Sequence, residues 1–127
     1  MRTAVVLGAS AKADRYSHQA VLRFAARGYR VIPVHPSGEA VAGHATTRSL
    51  TEVVGPVDIV SVYVNPTIGL TAVAEIARLA PRLVLLNPGA DGPEMHQAID
   101  AAGLPVQEAC TLVLLGLGDP LDLRATR

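Results

Sequence analysis

Residues 3–10 read Thr3-Ala4-Val5-Val6-Leu7-Gly8-Ala9-Ser10, and residues 28–36 read Gly28-Tyr29-Arg30-Val31-Ile32-Pro33-Val34-His35-Pro36. Each is a short apolar run rich in β-branched residues, and the first breaks into a glycine turn. Between them a polar loop (Lys12, Asp14, Arg15, Ser17) leads into an amphipathic segment, His18 to Ala26, that stops at Arg27-Gly28. Gly28 is free to adopt the left-handed conformation that ends a helix. The stretch therefore predicts strand, glycine turn, helix, strand: a βαβ unit with a phosphate-type turn after its first strand.

The same alternation continues outward. Pro36 to Gly43 is turn-rich, and Ser49-Leu50-Thr51-Glu52 suits a short helix capped by Ser49 and ended by Pro56. Val57 to Val64 predicts a third strand, broken at Asn65-Pro66, and Thr67 to Leu79 has helical spacing with Ile68, Ala72, Val73, Ile76 and Leu79 on one face. Arg82 to Leu86 predicts a fourth strand ending at Asn87-Pro88-Gly89-Ala90. A helix follows from Asp91 or Pro93 to about Ala102, and Leu104 to Ala109 predicts a fifth strand. Pro105 moves that last strand toward an edge. Alternating strands and helices pack as an α/β three-layer sandwich around a five-stranded parallel sheet. The chain from Cys110 onward is expected to be loop, and the tail after Leu117 to be poorly ordered.

The totals narrow the classes. A chain of 127 residues fits one domain with a substantial core. Half of the residues are hydrophobic, but there are only three Tyr, one Phe and no Trp, so the core must be aliphatic. That composition suits strands covered on both faces. Eleven basic residues balance eleven acidic ones, which gives no electrostatic footprint for nucleic acid or an anionic membrane. No apolar run is long enough for a bilayer span, and the expected location is cytoplasmic. Cys110 is the single cysteine, which excludes an internal disulfide and a multi-cysteine metal cluster.

In an open parallel sheet the ligand sits beyond the carboxyl ends of the strands. Gly8 lets backbone approach a phosphate, and the first turn of the following helix favours an anion. Ser10, Lys12, Arg15 and Ser17 add side-chain donors. An NAD site would place an acid at the end of the second strand to hold the ribose hydroxyls; here His35-Pro36 stands there, and Glu39 is the first carboxylate. His18, His35, His44 and His96 are scattered, without the converging ligands that a zinc site needs. Ser10 lacks the G-x-S-x-G surroundings of a hydrolase nucleophile. Asp58 precedes its strand and reads as a structural cap. Gly8→Val is expected to block the ligand while leaving the protein folded.

The strings Gly8 to Ser17 and Gly28 to Pro36 resemble the small bacterial CoA-binding domain proteins, relatives of the CoA-binding domain of the succinyl-CoA synthetase alpha subunit. The resemblance runs on through Gly43, Ser49-Leu50, Val57 to Val60, Asn65-Pro66, Gly103 to Val106 and Glu108 to Leu112. It implies a Rossmann-like domain over residues 1–117 that holds coenzyme A, or a small acyl-CoA, by its ADP moiety and has no catalysis of its own. Under the resemblance, Gly8, Ala9, Ser10, Lys12, Arg15 and Ser17 would surround phosphates; Val34, His35 and Pro36 would border the adenosine; Tyr63, Asn65 and Pro66 would form the next wall. Many relatives have Asn at the position of His35 and a basic residue just after Pro36. Here Ser37-Gly38 follow, so a cation for the 3′-phosphate would come from Arg15 or Arg48. The relatives' Gln-x-Gly stretch is replaced by Asn87-Pro88-Gly89-Ala90.

Other readings are a redox sensor or enzyme in which Cys110 forms a mixed disulfide with CoA, an NADP-binding regulatory module, and an interaction protein that has lost its ligand. The partner in the favoured reading is a small-molecule nucleotide, and a homodimer is the default assembly.

Overall fold

The continuous apolar runs become the strands of a sheet covered on both faces. A computed structural model describes residues 1–125. Its strands β1 (Thr3–Leu7), β2 (Arg30–Val34), β3 (Ile59–Val62), β4 (Leu83–Leu86) and β5 (Val106–Glu108) form one parallel sheet in the order β2-β1-β3-β4-β5. Along β1, Ala4 and Val6 pack with Val21, Phe24, Leu85 and Leu115 on one face. Val5 and Leu7 pack with Val60, Ile76, Met95 and Ile99 on the other. The helices form the outer layers: α1 (Tyr16–Ala26), α4 (Thr111–Leu117) and α5 (Pro120–Ala125) on the first face, α2 (Pro66–Leu79) and α3 (Pro93–Ala101) on the second. Each fully buried Val, Leu or Ile contributes about 1.5–3 kcal/mol.

Two prolines sit where the ladder tolerates them. Pro33 lies in the edge strand β2, and its carbonyl points outward to accept the Thr47 N–H at 3.0 Å. Its missing N–H therefore faces the edge and costs no bond to β1. Thr47 in turn accepts the His35 N–H, so this loop covers the exposed edge. Pro105 precedes β5 at the opposite edge, as its sequence position predicts.

The strands are shorter than the apolar runs suggest. β3 ends at Val62, and Tyr63 and Val64 already turn toward the N-cap of α2. The short helix expected at Ser49 is a single 3-10 turn, Leu50–Glu52, with the Ser49 hydroxyl accepting the Thr51 N–H. Asp58 is structural, as read: it sits at the amino end of β3, accepting the Thr3 N–H at 2.8 Å and facing Arg82 at 3.5 Å.

Two expectations for the C-terminus are corrected. The chain after Cys110 is a helix, α4, not a loop. The segment after Leu117 is also ordered, as α5, through Ala125; Thr126 and Arg127 lie outside the described residues. The cause is a set of long-range contacts. Leu121 is buried against the α1 face, and Asp119 accepts hydrogen bonds from the Tyr29 hydroxyl and from the Leu121 N–H. Arg2 bridges Asp119 at 2.9 Å and Asp122 at 3.0 Å.

Burial alone would push the Asp119 carboxyl up, but hydrogen bonds from Tyr29, the Leu121 N–H and Arg2 hold it below the usual carboxylate range. A depressed carboxylate contributes stability that is present above its unfolded value, about 3.9. That contribution is lost as pH falls through the lower folded value. Asp119→Ala is expected to cost about 1–2 kcal/mol at pH 7, from the lost hydrogen bonds. Urea unfolding at pH 7 and pH 3 checks this. A gap from wild type that fails to narrow at pH 3 would remove the ionised carboxylate from the account.

Candidate functional site

β2 and β3 lie on opposite sides of β1, so the chain leaving β1 and the chain leaving β3 diverge. A crevice at such a switch point is where open parallel sheets bind ligands. Here it is a cleft of about 740 Å³ lined by Gly8, Ser10, Lys12, Arg15, Ser17, His35 and Tyr63, with Ala11, Asp14, Tyr16, Ser37, Glu39 and Pro88. A second, more apolar groove of about 270 Å³ lies on the other side of Gly8. Val34 and Pro36 line it, together with Leu7, Leu50, Val64, Ile68, Ala72 and Arg48. Gly8 is a wall of both.

The other predicted residues serve the fold. Ala9 is fully buried in the α1-side core. Asn65 caps α2 by accepting the Ile68 N–H at 3.1 Å, and Pro66 occupies its first turn. Neither lines the cleft or the groove. Cys110 is half-buried at the N-cap of α4 and also lies outside the cleft lining.

Gly8 has φ +88°, and a Cβ there would stand 3.2 Å from the Val64 N and 3.3 Å from the Tyr63 carbonyl carbon. Both atoms are backbone, which cannot swing aside. The expectation that Gly8→Val leaves the fold intact is therefore corrected: the close approach is between β1 and the end of β3, not only toward a ligand.

The backbone N–H groups of the loop after β1 divide into bonded and unbonded ones. The Gly8 and Ala9 N–H groups both donate to the Val34 carbonyl, at 2.9 and 3.1 Å. The Ser10 N–H donates to the Ser17 hydroxyl, and the Lys12 N–H to the Ser10 hydroxyl. His18 Nδ1 lies 3.0 Å from the Ser10 carbonyl, which can only accept, so this ring carries its proton on Nδ1. Ser17 is thus a brace for the loop. The N–H groups left without an acceptor among the described residues are those of Ala11, Ala13, Asp14, Tyr16, Ser17 and His18. They belong to the second half of the loop and the first turn of α1. That turn holds no acid and Arg15 makes no side-chain cap, whereas α2 is closed by Asn65. Its positive end is open to an anion.

Lys12 and Arg15 form no ion pair among the described residues, while Arg2, Arg78 and Arg82 are each matched to an acid. Asp14 and Glu39 share the cleft lining, so its charge is mixed rather than uniformly basic. At the end of β2 the Ser37 N–H donates to His35 Nδ1 at 3.1 Å. Neutral His35 therefore bears its proton on Nε2, as a donor. Among the described residues the Tyr63 hydroxyl is buried without a hydrogen-bond partner, beside Thr111 and Ser61 hydroxyls already bonded to each other at 2.8 Å. Burial pushes this phenol up to about 12, with a smaller contribution from nearby Cys110.

One feature beside the cleft escaped sequence reasoning. Asn87, at the end of β4, is buried and donates to the Ser61 hydroxyl at 3.1 Å and the Val62 carbonyl at 2.9 Å, while accepting the Thr111 N–H at 2.8 Å. It ties β3, β4 and the start of α4 together. A polar residue closing an otherwise apolar strand was the available signal. Among the described residues no group of three or more His, Cys, Asp and Glu could hold a metal ion, and no helix is long and apolar enough to cross a membrane.

Residues 2–116 match the family model described as CoA binding domain. YneT of Bacillus subtilis is 40% identical over 58 residues, a stretch covering 46% of this chain and 43% of YneT, less than half the length of that relative. A crystal structure of an uncharacterised protein matches with a TM-score of 0.85 at 31% identity, over 93% of this chain and 97% of the other. The cell-free ID.343 protein of Thermus thermophilus matches with a TM-score of 0.81 at 34% identity, over 91% of this chain and 87% of the other.

Proposed function

Since the chain belongs to the CoA binding domain family, we propose that it binds coenzyme A or a small acyl-CoA through the ADP moiety, at the carboxyl edge of the sheet and without catalysis of its own. One observation carries the reading. The crevice between the ends of β1 and β3 is bordered by a run of unbonded N–H groups in the 11–18 loop and helix start, with unpaired Lys12 and Arg15 beside them. Such a run suits a pyrophosphate. His35 stands where an acid would grip unmodified ribose hydroxyls, and an acid there would repel the 3′-phosphate of CoA. The adenosine then extends past Gly8 toward Val34 and Pro36.

The test is a thermal-shift titration with CoA, acetyl-CoA, dephospho-CoA, NAD and NADP. A ligand binding only the native state at a hundredfold excess over Kd stabilises it by about 2.7 kcal/mol, which is on the order of 10 °C for a domain of this size. CoA is expected to give such a shift and NAD none. No shift with either CoA or acetyl-CoA rejects the proposal.

Lys12→Ala and Arg15→Ala are each expected to weaken CoA binding about three- to tenfold at low ionic strength. The losses should shrink in strong salt, because solvent-exposed charges are screened beyond a Debye length of about 10 Å at 0.1 M. Isothermal titration at two salt concentrations reads this. Two variants with wild-type affinity at low salt would move the pyrophosphate away from this loop.

A further inference from the structure

Helix α4 breaks the pattern of the other outer helices. Its sequence, Thr111-Leu112-Val113-Leu114-Leu115-Gly116-Leu117, holds no ionisable side chain. Thr111 and Leu115 are buried, and Leu114 packs against the same core. Positions 113, 116 and 117 follow i, i+3, i+4 spacing and so share the opposite face. There Val113 is 61% and Leu117 70% exposed. A side chain on Gly116 would meet nothing within 4 Å. Among the described residues every other α-helix presents charge on its outer face: Arg23 and Arg27 on α1, Arg78 on α2, Glu94 and Asp100 on α3, Asp122 on α5. A helix that is apolar all round belongs in an interior. The outer face of α4 is therefore half of a contact.

We propose that this face joins two copies of the chain about a two-fold axis that passes beside Gly116. Charge selects a second copy as the occupant. Eleven basic residues balance eleven acidic ones, so two copies approach without net repulsion. About a two-fold axis each group nearest the axis meets its own counterpart. A charged side chain there would face a like charge, and residues 111–118 contain none. Shape agrees. Val113 and Leu117 flank the open space over Gly116, so one patch carries both knob and hole, and the second copy's Leu117 seats over Gly116. A stable pair buries about 800 Å² per partner, more than one short helix offers. The contact therefore extends onto the adjoining helix α1, where Leu22 is 43% exposed and Arg23 makes no ion pair among the described residues. An apolar centre with a polar rim is the usual build of such a contact. No residue of α4 lines the nucleotide cleft, so the pairing does not draw on the ligand site.

The experiment is analytical ultracentrifugation of the full chain over about 1–200 µM, a range that brackets a standard-size contact of modest affinity. Wild type is expected to dimerise within it. Leu117→Glu, which sets two like charges against each other, should raise the dimer dissociation constant about a hundredfold, and Gly116→Leu, which fills the hole, about tenfold. Gln97→Glu, on the outer face of α3, should leave it unchanged. Far-UV circular dichroism checks that each variant is folded. Hydrogen exchange of wild type at both ends of the range gives a readout that needs no variant: protection should fall on dilution in α4 and in the adjoining part of α1, and not in α2 or α3. A wild type that stays monomeric throughout overturns the proposal and leaves the face to a different protein. A dimer that neither Leu117→Glu nor Gly116→Leu weakens, or whose dilution leaves α4 protection unchanged, also overturns it, because the copies then meet elsewhere.

Discussion

Gly8→Val destabilises the protein by about 2–5 kcal/mol, a large share of the roughly 5–15 kcal/mol that keeps an ordinary domain folded. Two physical terms add. The backbone at Gly8 has φ +88°, a conformation that costs an L-residue about 1–2 kcal/mol. The added Cβ meets the Val64 N and the Tyr63 carbonyl carbon at 3.2 and 3.3 Å and the Val64 Cγ1 at 3.0 Å. Overpacking of this kind costs about 1–3 kcal/mol, and relief requires β1 and the end of β3 to move apart. Gly8→Ala separates the contributions: it carries the same φ strain and the same Cβ contact without the two further methyl groups. Urea denaturation of both variants, with and without CoA, measures the effect. A Gly8→Val protein with the wild-type midpoint would mean that β1 and β3 tolerate separation at the cleft. The glycine would then be kept for a ligand alone.

Asn87→Ala carries the second large effect, about 3–5 kcal/mol. The side chain is 1% exposed and makes three hydrogen bonds, to Ser61, Val62 and the Thr111 N–H. Truncation strands several buried polar groups at once, each costing about 1–3 kcal/mol when left unsatisfied. Partial rearrangement keeps the total below the simple sum. The Ser61 and Thr111 hydroxyls still hold each other, but the Thr111 N–H at the start of α4 loses its acceptor. Hydrogen exchange should therefore show α4 losing protection before α2 does. Uniform destabilisation, with α4 and α2 exchanging together as in wild type, would detach Asn87 from the docking of α4. Because Tyr63 lies against the same hydroxyls, Asn87→Ala should also loosen the cleft wall and weaken CoA binding.

The parts of the fold legible in the sequence are those set by local pattern. Short apolar runs from Thr3 and from Tyr29 marked β1 and β2, and helical spacing marked α1, α2 and α3. Pro105 marked an edge strand. The family, too, could be read from the order of short motifs. By contrast, Thr111 to Leu117 is an almost unbroken apolar run ending in Gly116-Leu117, with no polar face to betray a helix, and periodicity cannot separate such a run from other buried segments. α5 escaped for a different reason: its anchors are Arg2 and Tyr29, at the far end of the chain, and no local window contains them.

The candidate site divides along the same line. Residue types at the strand ends, with Gly8, Lys12, Arg15, His35 and the missing acid after β2, pointed to a phosphate-type turn and away from NAD, because that reading follows from local chemistry; the ligand class came with the family resemblance. The sequence could not say which backbone donors are free, because an N–H is spent or spare according to partners distant in the chain, such as the Val34 carbonyl for Gly8 and Ala9. Nor could it show that Ser17 braces the loop by accepting the Ser10 N–H. Those assignments depend on which groups the packed sheet and helices bring within hydrogen-bond distance, and only the tertiary structure sets those distances.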